Sequence, residues 1–231
     1  MVSVAIATYN GEKYIYDQIR TVLDNLNSED EVIISDDNSN DKTIDIIKTF
    51  KDSRVKIYDG PQKGIVENFA NAISKCKGDI IFLCDQDDIW YPNKVKHVCA
   101  MFESSDCILV EHDARVVDEK KNVLYESFFE HRNVRAGFWK NYMRNTYHGC
   151  LMAFRRELVQ YLNPFPKKGC LHDQWIGLVA ERKGKIVFLP EILMEYKRHS
   201  GNASSFKRLP FARQLGDRLN LLIYIIKRKI W

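Results

Sequence analysis

Two groups of carboxylates stand directly behind apolar runs. Ile80-Ile-Phe-Leu-Cys84 leads at once into Asp85, Asp87 and Asp88, and Val32-Ile-Ile34 leads through Ser35 into Asp36 and Asp37. A short continuous apolar run suits a parallel strand covered on both faces. In open α/β sheets, ligands bind outside the carboxyl ends of such strands. Asp85 and Asp87 are two residues apart, so in an extended segment they project to one side. Two carboxylates on one side repel unless something positive lies between them, and an all-oxygen ligand set favours a hard cation such as Mg²⁺ or Mn²⁺. The competing reading is a solvated acidic turn that caps a helix starting near Pro92. Asp36 and Asp37 can accept hydrogen bonds from the nitrogen edge of a base or from ribose hydroxyls. Turn chemistry, with Asn40 or Asp41 capping the next helix, needs only one side chain, and this loop offers several.

The elements that must position these groups alternate along the first half. Strands are expected at 2–8, 31–35, 55–58 and 80–84, and helices at 12–26, 43–50 and 65–75, the last with Ile65, Phe69, Ala72 and Ile73 on one face. Alternation of this kind predicts an α/β domain with a mostly parallel, doubly wound central sheet flanked by helices. The loops hold no G-x-G-x-x-G and no G-x-x-x-x-G-K-[ST], which disfavours a Rossmann dinucleotide site and a P-loop. In the second half a strand is expected at 107–112 and a hairpin at 115–117 and 122–125 around Glu119-Lys-Lys. The aromatic and basic stretch 128–147, with Phe138, Trp139 and Tyr142, reads first as core and second as a sugar platform. A strand at 146–154 follows, where His148-Gly149 allows close backbone approach. A helix at 173–182 and short strands at 186–189 and 192–196 complete the domain, the last returning His199 towards the centre.

The chain has 231 residues, is 45% hydrophobic and carries a net charge of +4. That length suits one α/β domain with additions. Residues 207–231 hold seven Lys/Arg and one Asp, so the remainder is slightly acidic and offers no platform for nucleic acid. Basic and apolar together, 207–231 reads as an amphipathic helix on an anionic membrane surface. Packing on the domain or on a second subunit, as a homodimer, is the alternative. Six scattered cysteines without a C-x-x-C pair are expected to be reduced thiols of a cytosolic protein. No signal peptide and no run of about 20 apolar residues is seen.

The sequence resembles the family 2 glycosyltransferases with the GT-A fold. The resemblance rests on Val4-Ala-Ile-Ala-Thr-Tyr-Asn-Gly-Glu12, Ile33-Ile-Ser-Asp-Asp-Asn-Ser-Asn-Asp-Lys-Thr43 and Asp85-Gln-Asp-Asp-Ile-Trp90. It continues through His148-Gly-Cys-Leu-Met-Ala-Phe154, His172-Asp-Gln-Trp175 and Tyr196-Lys-Arg-His-Ser-Gly-Asn202. The D-Q-D-D-I-W form looks most like the bacterial rhamnosyltransferase-like branch, which builds surface polysaccharides. The resemblance implies a GT-A domain over 1–206, with a nucleotide-sugar-binding half at 1–105 and an acceptor-binding half at 106–206. It implies that Thr8, Tyr9 and Glu12 line the nucleotide pocket together with Asp36 and Gln86, and that Asp37 contacts the base. Asp85 would reach the ribose or the sugar, and Asp87 would ligate the Mn²⁺ or Mg²⁺, with His199 near the metal or diphosphate. Asp173 matches the catalytic base, and His148 and Trp175 would meet the acceptor.

The implied reaction is inverting transfer of rhamnose or a hexose from a dTDP- or UDP-linked donor to a hydroxyl of a glycan or lipid-linked acceptor. The implied place is the cytoplasm, at the inner face of the plasma membrane. Two other readings share the acidic α/β frame. A sugar nucleotidyltransferase would need a Gly-rich basic loop near the N-terminus, which Ala7-Thr-Tyr-Asn-Gly-Glu12 is not. A non-catalytic, membrane-associated binding protein on the same fold would bind nucleotide without transfer.

Overall fold

The computed structural model describes residues 1–202, 210–228 and 230. The first half alternates as expected: β1 (Val2–Thr8), α1 (Ile15–Leu23), β2 (Glu31–Asp36), α2 (Thr43–Lys48), β3 (Val55–Asp59), α3 (Ile65–Lys75) and β4 (Ile80–Cys84). A two-residue strand, β5 (Ile89–Trp90), and α4 (Lys94–Ser104) follow. The second half contains β6 (Cys107–Asp118), β7 (Val123–Tyr125), α5 (Phe128–Arg132), α6 (Phe138–Met143), β8 (Met152–Arg155), α7 (Val159–Leu162), α8 (His172–Lys183), β9 (Lys185–Arg198) and α9 (Phe211–Lys227).

One sheet runs through the domain in the order β3-β2-β1-β4-β8-β6-β9-β5, with β7 paired to β6. The strands β3, β2, β1 and β4 are all parallel. Strand β8 is antiparallel to both β4 and β6, whereas β6 and β9 are parallel again. The sheet is therefore parallel in its first half and mixed in its second. Successive residues of β1 point to opposite sides. Val4 and Ile6 pack with Ile15, Ile19 and Val22 of α1, and Ala5 packs with Phe69, Ala72 and Ile73 of α3. Both faces are covered, which is why these strands read as unbroken apolar runs. Each such fully buried Ile or Phe contributes about 1.5–3 kcal/mol of transfer free energy.

Two expectations for the second half change. The separate strands at 186–189 and 192–196 are one strand, β9. Leu189 pairs with His112 and Ile192 with the next residue, Asp113, so Pro190 and Glu191 bulge out of the ladder. Proline lacks the N–H a ladder needs, and a bulge accommodates it without ending the strand. The strand expected at 146–154 is shortened to Met152–Arg155, behind a 3₁₀ turn at Gly149–Leu151. At Gly149 the chain passes so close to α8 that a Cβ would lie 2.5 Å from His172 Nε2, so only glycine fits there.

Helix α9 is present in the basic C-terminal segment. Leu221 and Ile225 are buried against the domain, while Leu215, Leu219, Ile223 and Ile226 face outward. Lys207, Arg208, Lys229 and Trp231 lie outside the described residues, as do residues 203–205 of the loop after His199. Among the described residues no helix is long and apolar enough to cross a membrane. All six thiols are unpaired, as expected.

Candidate active site

The parallel strands bring their carboxyl ends together because their registers coincide: Thr8 pairs with Asp36, and Ile6 with Cys84. The chain bends straight after Cys84, and oxygens of Asp85, Asp87 and Asp88 converge to within 4.8 Å of one another. The bend is held from three sides. Gln18 Oε1 of α1 accepts from the Asp88 N–H at 2.8 Å, and Asp88 Oδ1 accepts from the Lys197 N–H of β9 at 2.9 Å. Among the described residues the buried Asp88 Oδ2 has no hydrogen-bond partner. The third contact is His199, whose Nε2 lies 2.7 Å from Asp87 Oδ2, with Asn202 Nδ2 donating to the same oxygen at 3.2 Å. The His199 ring stacks on Tyr14, with centroids 4.5 Å apart.

These carboxylates disturb one another. Burial, then the charges of Asp87 and Asp173, push the Asp85 carboxyl up to about 7. Burial, then the charges of Asp87 and Asp85, push Asp88 well above the carboxylate range. Lys94 is the nearest compensating cation: it is 1% exposed, its Nζ lies 3.9 Å from the Trp90 ring centroid, and burial lowers it to about 8. Lys94 is not among the residues lining the cavity in front of the aspartates. An orphaned buried oxygen beside converging carboxylates fits a hard divalent cation held by Asp85, Asp87 and Asp88.

That cavity has a volume of about 700 Å³. Thr8, Tyr9, Asp37, Asp85, Gln86, Asp87, His148 and Asp173 all line it, so eight of the residues singled out in the sequence converge. Asp37 accepts from the backbone N–H groups of Gln62 and Gly64, at 2.5 and 2.9 Å, and its oxygens keep lone pairs for a ligand. The Gln86 amide is already engaged: it accepts from the Tyr9 N–H at 2.9 Å and donates to the Tyr9 carbonyl at 3.0 Å, latching the β1 loop to the β4 loop.

Other expected residues sit elsewhere. Asp36 is buried behind the cavity, accepting from the Thr8 hydroxyl at 2.7 Å and from the Ser39 N–H at 2.8 Å, so it shapes the loop. The Glu12 carboxylate accepts from the Lys42 N–H at 3.1 Å and does not line the cavity. His199 stands behind Asp87. Trp175 is fully buried, packs edge-on to Tyr224 and donates Nε1–H to the Leu162 carbonyl at 2.9 Å. It lines neither cavity, because the first turn of α8 presents Asp173 outward and the tryptophan two residues on faces the core.

A second cavity, of about 900 Å³, opens on the other side of Asp173. The two share His148, Leu171, Asp173 and Tyr196 as a common wall. Burial raises Asp173 to about 6, against the Gln174 N–H, which donates to Oδ1 at 2.6 Å, and the nearby Arg132 charge. His148 is neutral, lowered to about 3 by burial, and its Nε2 has no partner among the described residues. Its backbone N–H donates to the buried Glu111 at 2.9 Å. His172 is neutral for the same reason, stacks on Phe69 at 4.1 Å and lines the first cavity, its two ring nitrogens without a partner among the described residues. Lys94, Glu111 and His172 were not singled out from the sequence as site residues. Only His172 carried a signal there, as the neighbour of Asp173; a lone Lys or Glu in an amphipathic or strand stretch carries none.

Comparison with known proteins agrees with this geometry. Residues 3–162 match the sequence profile described as Glycosyl transferase family 2, and the chain belongs to that family. It is 27% identical over 235 residues to the dTDP-rhamnosyl transferase RfbG of Shigella flexneri, covering 90% of this chain and 79% of that protein. It is 25% identical over 225 residues to WfgD of Escherichia coli, a UDP-Glc:α-D-GlcNAc-diphosphoundecaprenol β-1,3-glucosyltransferase, covering 94% and 86%. The backbone superposes on the Staphylococcus aureus TarS fragment bound to UDP-GlcNAc with a TM-score of 0.77 at 17% identity, over 97% of this chain and 66% of that one. The fold is thus that of the GT-A glycosyltransferases. The chain spans about two thirds of the length of several curated relatives it matches.

Proposed function

We propose that this family 2 glycosyltransferase moves a sugar, rhamnose or a hexose, from a dTDP- or UDP-linked donor to a hydroxyl of a glycan or lipid-linked acceptor, with inversion, in bacterial surface polysaccharide synthesis. The observation that carries this reading is the place of Asp173: its carboxyl stands in the wall between an acidic cavity and a second one. A base at that junction touches both substrates of a transfer.

The donor occupies the first cavity. Asp37 offers acceptor oxygens to the N–H edge of a base. Four aspartates line this cavity, and among the described residues no Lys or Arg does, so a diphosphate is repelled there without a cation. Asp85, Asp87 and Asp88 would hold Mn²⁺ or Mg²⁺, and this ion supplies Lewis-acid stabilisation of the leaving diphosphate. His199 orients Asp87 through its 2.7 Å hydrogen bond.

Asp173 takes the proton from the acceptor hydroxyl. At about 6 it is ionised at neutral pH yet more basic than an ordinary carboxylate, as a general base should be. The acceptor oxygen attacks the anomeric carbon opposite the leaving group, which inverts that carbon. Buried, neutral His148 and His172 exclude water from the path and offer ring nitrogens to sugar hydroxyls.

The outward apolar stripe of α9 supports a place at the inner face of the plasma membrane. Co-sedimentation with anionic vesicles tests it. A dimer in solution that shields the stripe, with no sedimentation, is the contrary result. The reading as a whole is tested by calorimetric titration with UDP and with dTDP, with and without Mn²⁺. Metal-dependent binding of one nucleotide is expected and names the donor class. Failure of both to bind under either condition would overturn the transferase reading.

A further inference from the structure

The second cavity has a charge that a neutral saccharide does not call for. Arg132, Lys167, Lys168, Arg198 and Arg213 line it, against the carboxylates of Asp173 and Asp217. Among the described residues Lys167, Lys168 and Arg213 form no ion pair. Among the described residues Arg132 donates one long hydrogen bond, 3.5 Å to the Asn145 carbonyl. Cations gathered in a concave site sum to a positive potential that favours an anionic ligand. Arg and Lys together match phosphate: the guanidinium by paired donors, the ammonium as a point charge.

The source of that phosphate is indicated by α9. Arg213 and Asp217 of this helix line the cavity, and the same helix turns Leu215, Leu219, Ile223 and Ile226 outward, 42–57% exposed and recurring at helical spacing. Two residues along a helix turn a side chain through about 200°, so this helix carries the basic cavity on one side and the apolar stripe on the other; a helix resting on lipid by that stripe suits a substrate that carries a diphosphate and is anchored in lipid. We propose that the second cavity binds the diphosphate of a lipid-linked saccharide acceptor, with Arg132, Lys167, Lys168 and Arg213 as its ligands, and so presents the acceptor hydroxyl to Asp173. This rests on the transferase reading and assigns the acceptor's anionic group to residues of this chain.

The test separates the two cavities by metal. In metal-free buffer the first cavity repels phosphate, so binding of inorganic pyrophosphate and of farnesyl diphosphate, measured by calorimetry, reports the second. Both are expected to bind, the farnesyl ester at least about tenfold more tightly once lipid vesicles or detergent are present. The pair Lys168→Gln/Arg213→Gln is expected to weaken both about tenfold or more, with Mn²⁺-dependent binding of UDP or dTDP unchanged. Unchanged nucleotide binding also shows that the variant is folded. Absence of diphosphate binding without metal, or binding that survives Lys168→Gln/Arg213→Gln, overturns the assignment. Equal affinity for the free and the prenylated diphosphate overturns its lipid part. Absence of nucleotide binding in the unaltered protein would instead sink the transferase reading, a separate outcome.

Discussion

The cavity at the ends of β1, β2 and β4 and the cavity beside α9 are built on opposite electrostatic plans. Among the described residues the first is lined by four aspartates, the second by five cations and two carboxylates. Under the proposed transfer, both would receive a phosphate-bearing substrate. Asp85, Asp87 and Asp88 at the acidic cavity would do so by holding a cation, which would offset their charge towards the donor and supply Lewis-acid stabilisation of the leaving diphosphate. The basic cavity would need no cation, since its fixed charges would hold an acceptor whose phosphate does not react. The contrast follows from what each diphosphate must do. A leaving group gains charge in the transition state, so a polarising ion beside it is useful. A diphosphate that only anchors is served by side chains that stay put.

The largest effect should come from the one carboxylate the cavities share. Asp173→Asn is expected to lower transfer by about 10²–10⁴-fold, the usual worth of a general base, while UDP or dTDP binding with Mn²⁺ stays within twofold or so. Collapse of nucleotide affinity in this variant would place Asp173 wholly within the donor cavity and break the comparison. Next, Asp87→Ala should weaken metal-dependent nucleotide binding by about 100-fold, a loss in keeping with removal of a metal ligand. A manganese titration at fixed nucleotide reads it, and nucleotide affinity unaffected by the change would remove the cation from the acidic cavity.

A smaller effect lies in pH. The Asp173 carboxyl is raised from 3.8 to about 6, and only its ionised form accepts a proton. The acceptor kcat/KM should therefore fall about tenfold per pH unit below 6 through this group and level off above it. A profile flat down to about pH 4.5 would mean that Asp173 is not the base. The smallest effect concerns a residue that belongs to neither cavity. Trp175→Phe leaves the buried Leu162 carbonyl without its 2.9 Å donor, at a cost of about 1–3 kcal/mol. Thermal unfolding should show it as a drop of several degrees, with the acceptor KM unchanged. A raised acceptor KM at unaltered stability would restore the tryptophan to acceptor binding.

The two cavities also differ in how legible they were. The end of β4 at Cys84 and, to within one residue, that of β2 at Asp36 could be read directly, because a strand covered on both faces is continuously apolar along its buried run. Eight of the residues read from the sequence line the acidic cavity. Asp36 and Glu12 were misplaced within the same loops: their types suit a ligand, but the backbone N–H groups of Ser39 and Lys42 take them first. Trp175 was misplaced because the motif places it near Asp173 in sequence, whereas two residues along a helix turn the side chain through about 200°. For the second cavity the sequence offered an acceptor platform at 128–147 with His148 and Asp173, but not its basic charge. Its cations come from α5, the 167–168 loop, β9 and α9, and no local pattern links four separate segments.

The sequence by itself determined the alternating α/β frame, the acidic strand ends, the family and the candidate for general base, because each is written in a contiguous stretch with its own periodicity or motif. Only the tertiary structure decided that Asp85, Asp87 and Asp88 converge, that Asp173 stands in a wall between two cavities, and that cations from four segments gather on its far side. Those are statements of distance between residues far apart in the chain. The physical reason is that the charge of a cavity is summed over whatever surfaces the fold brings face to face, and no segment carries that sum alone.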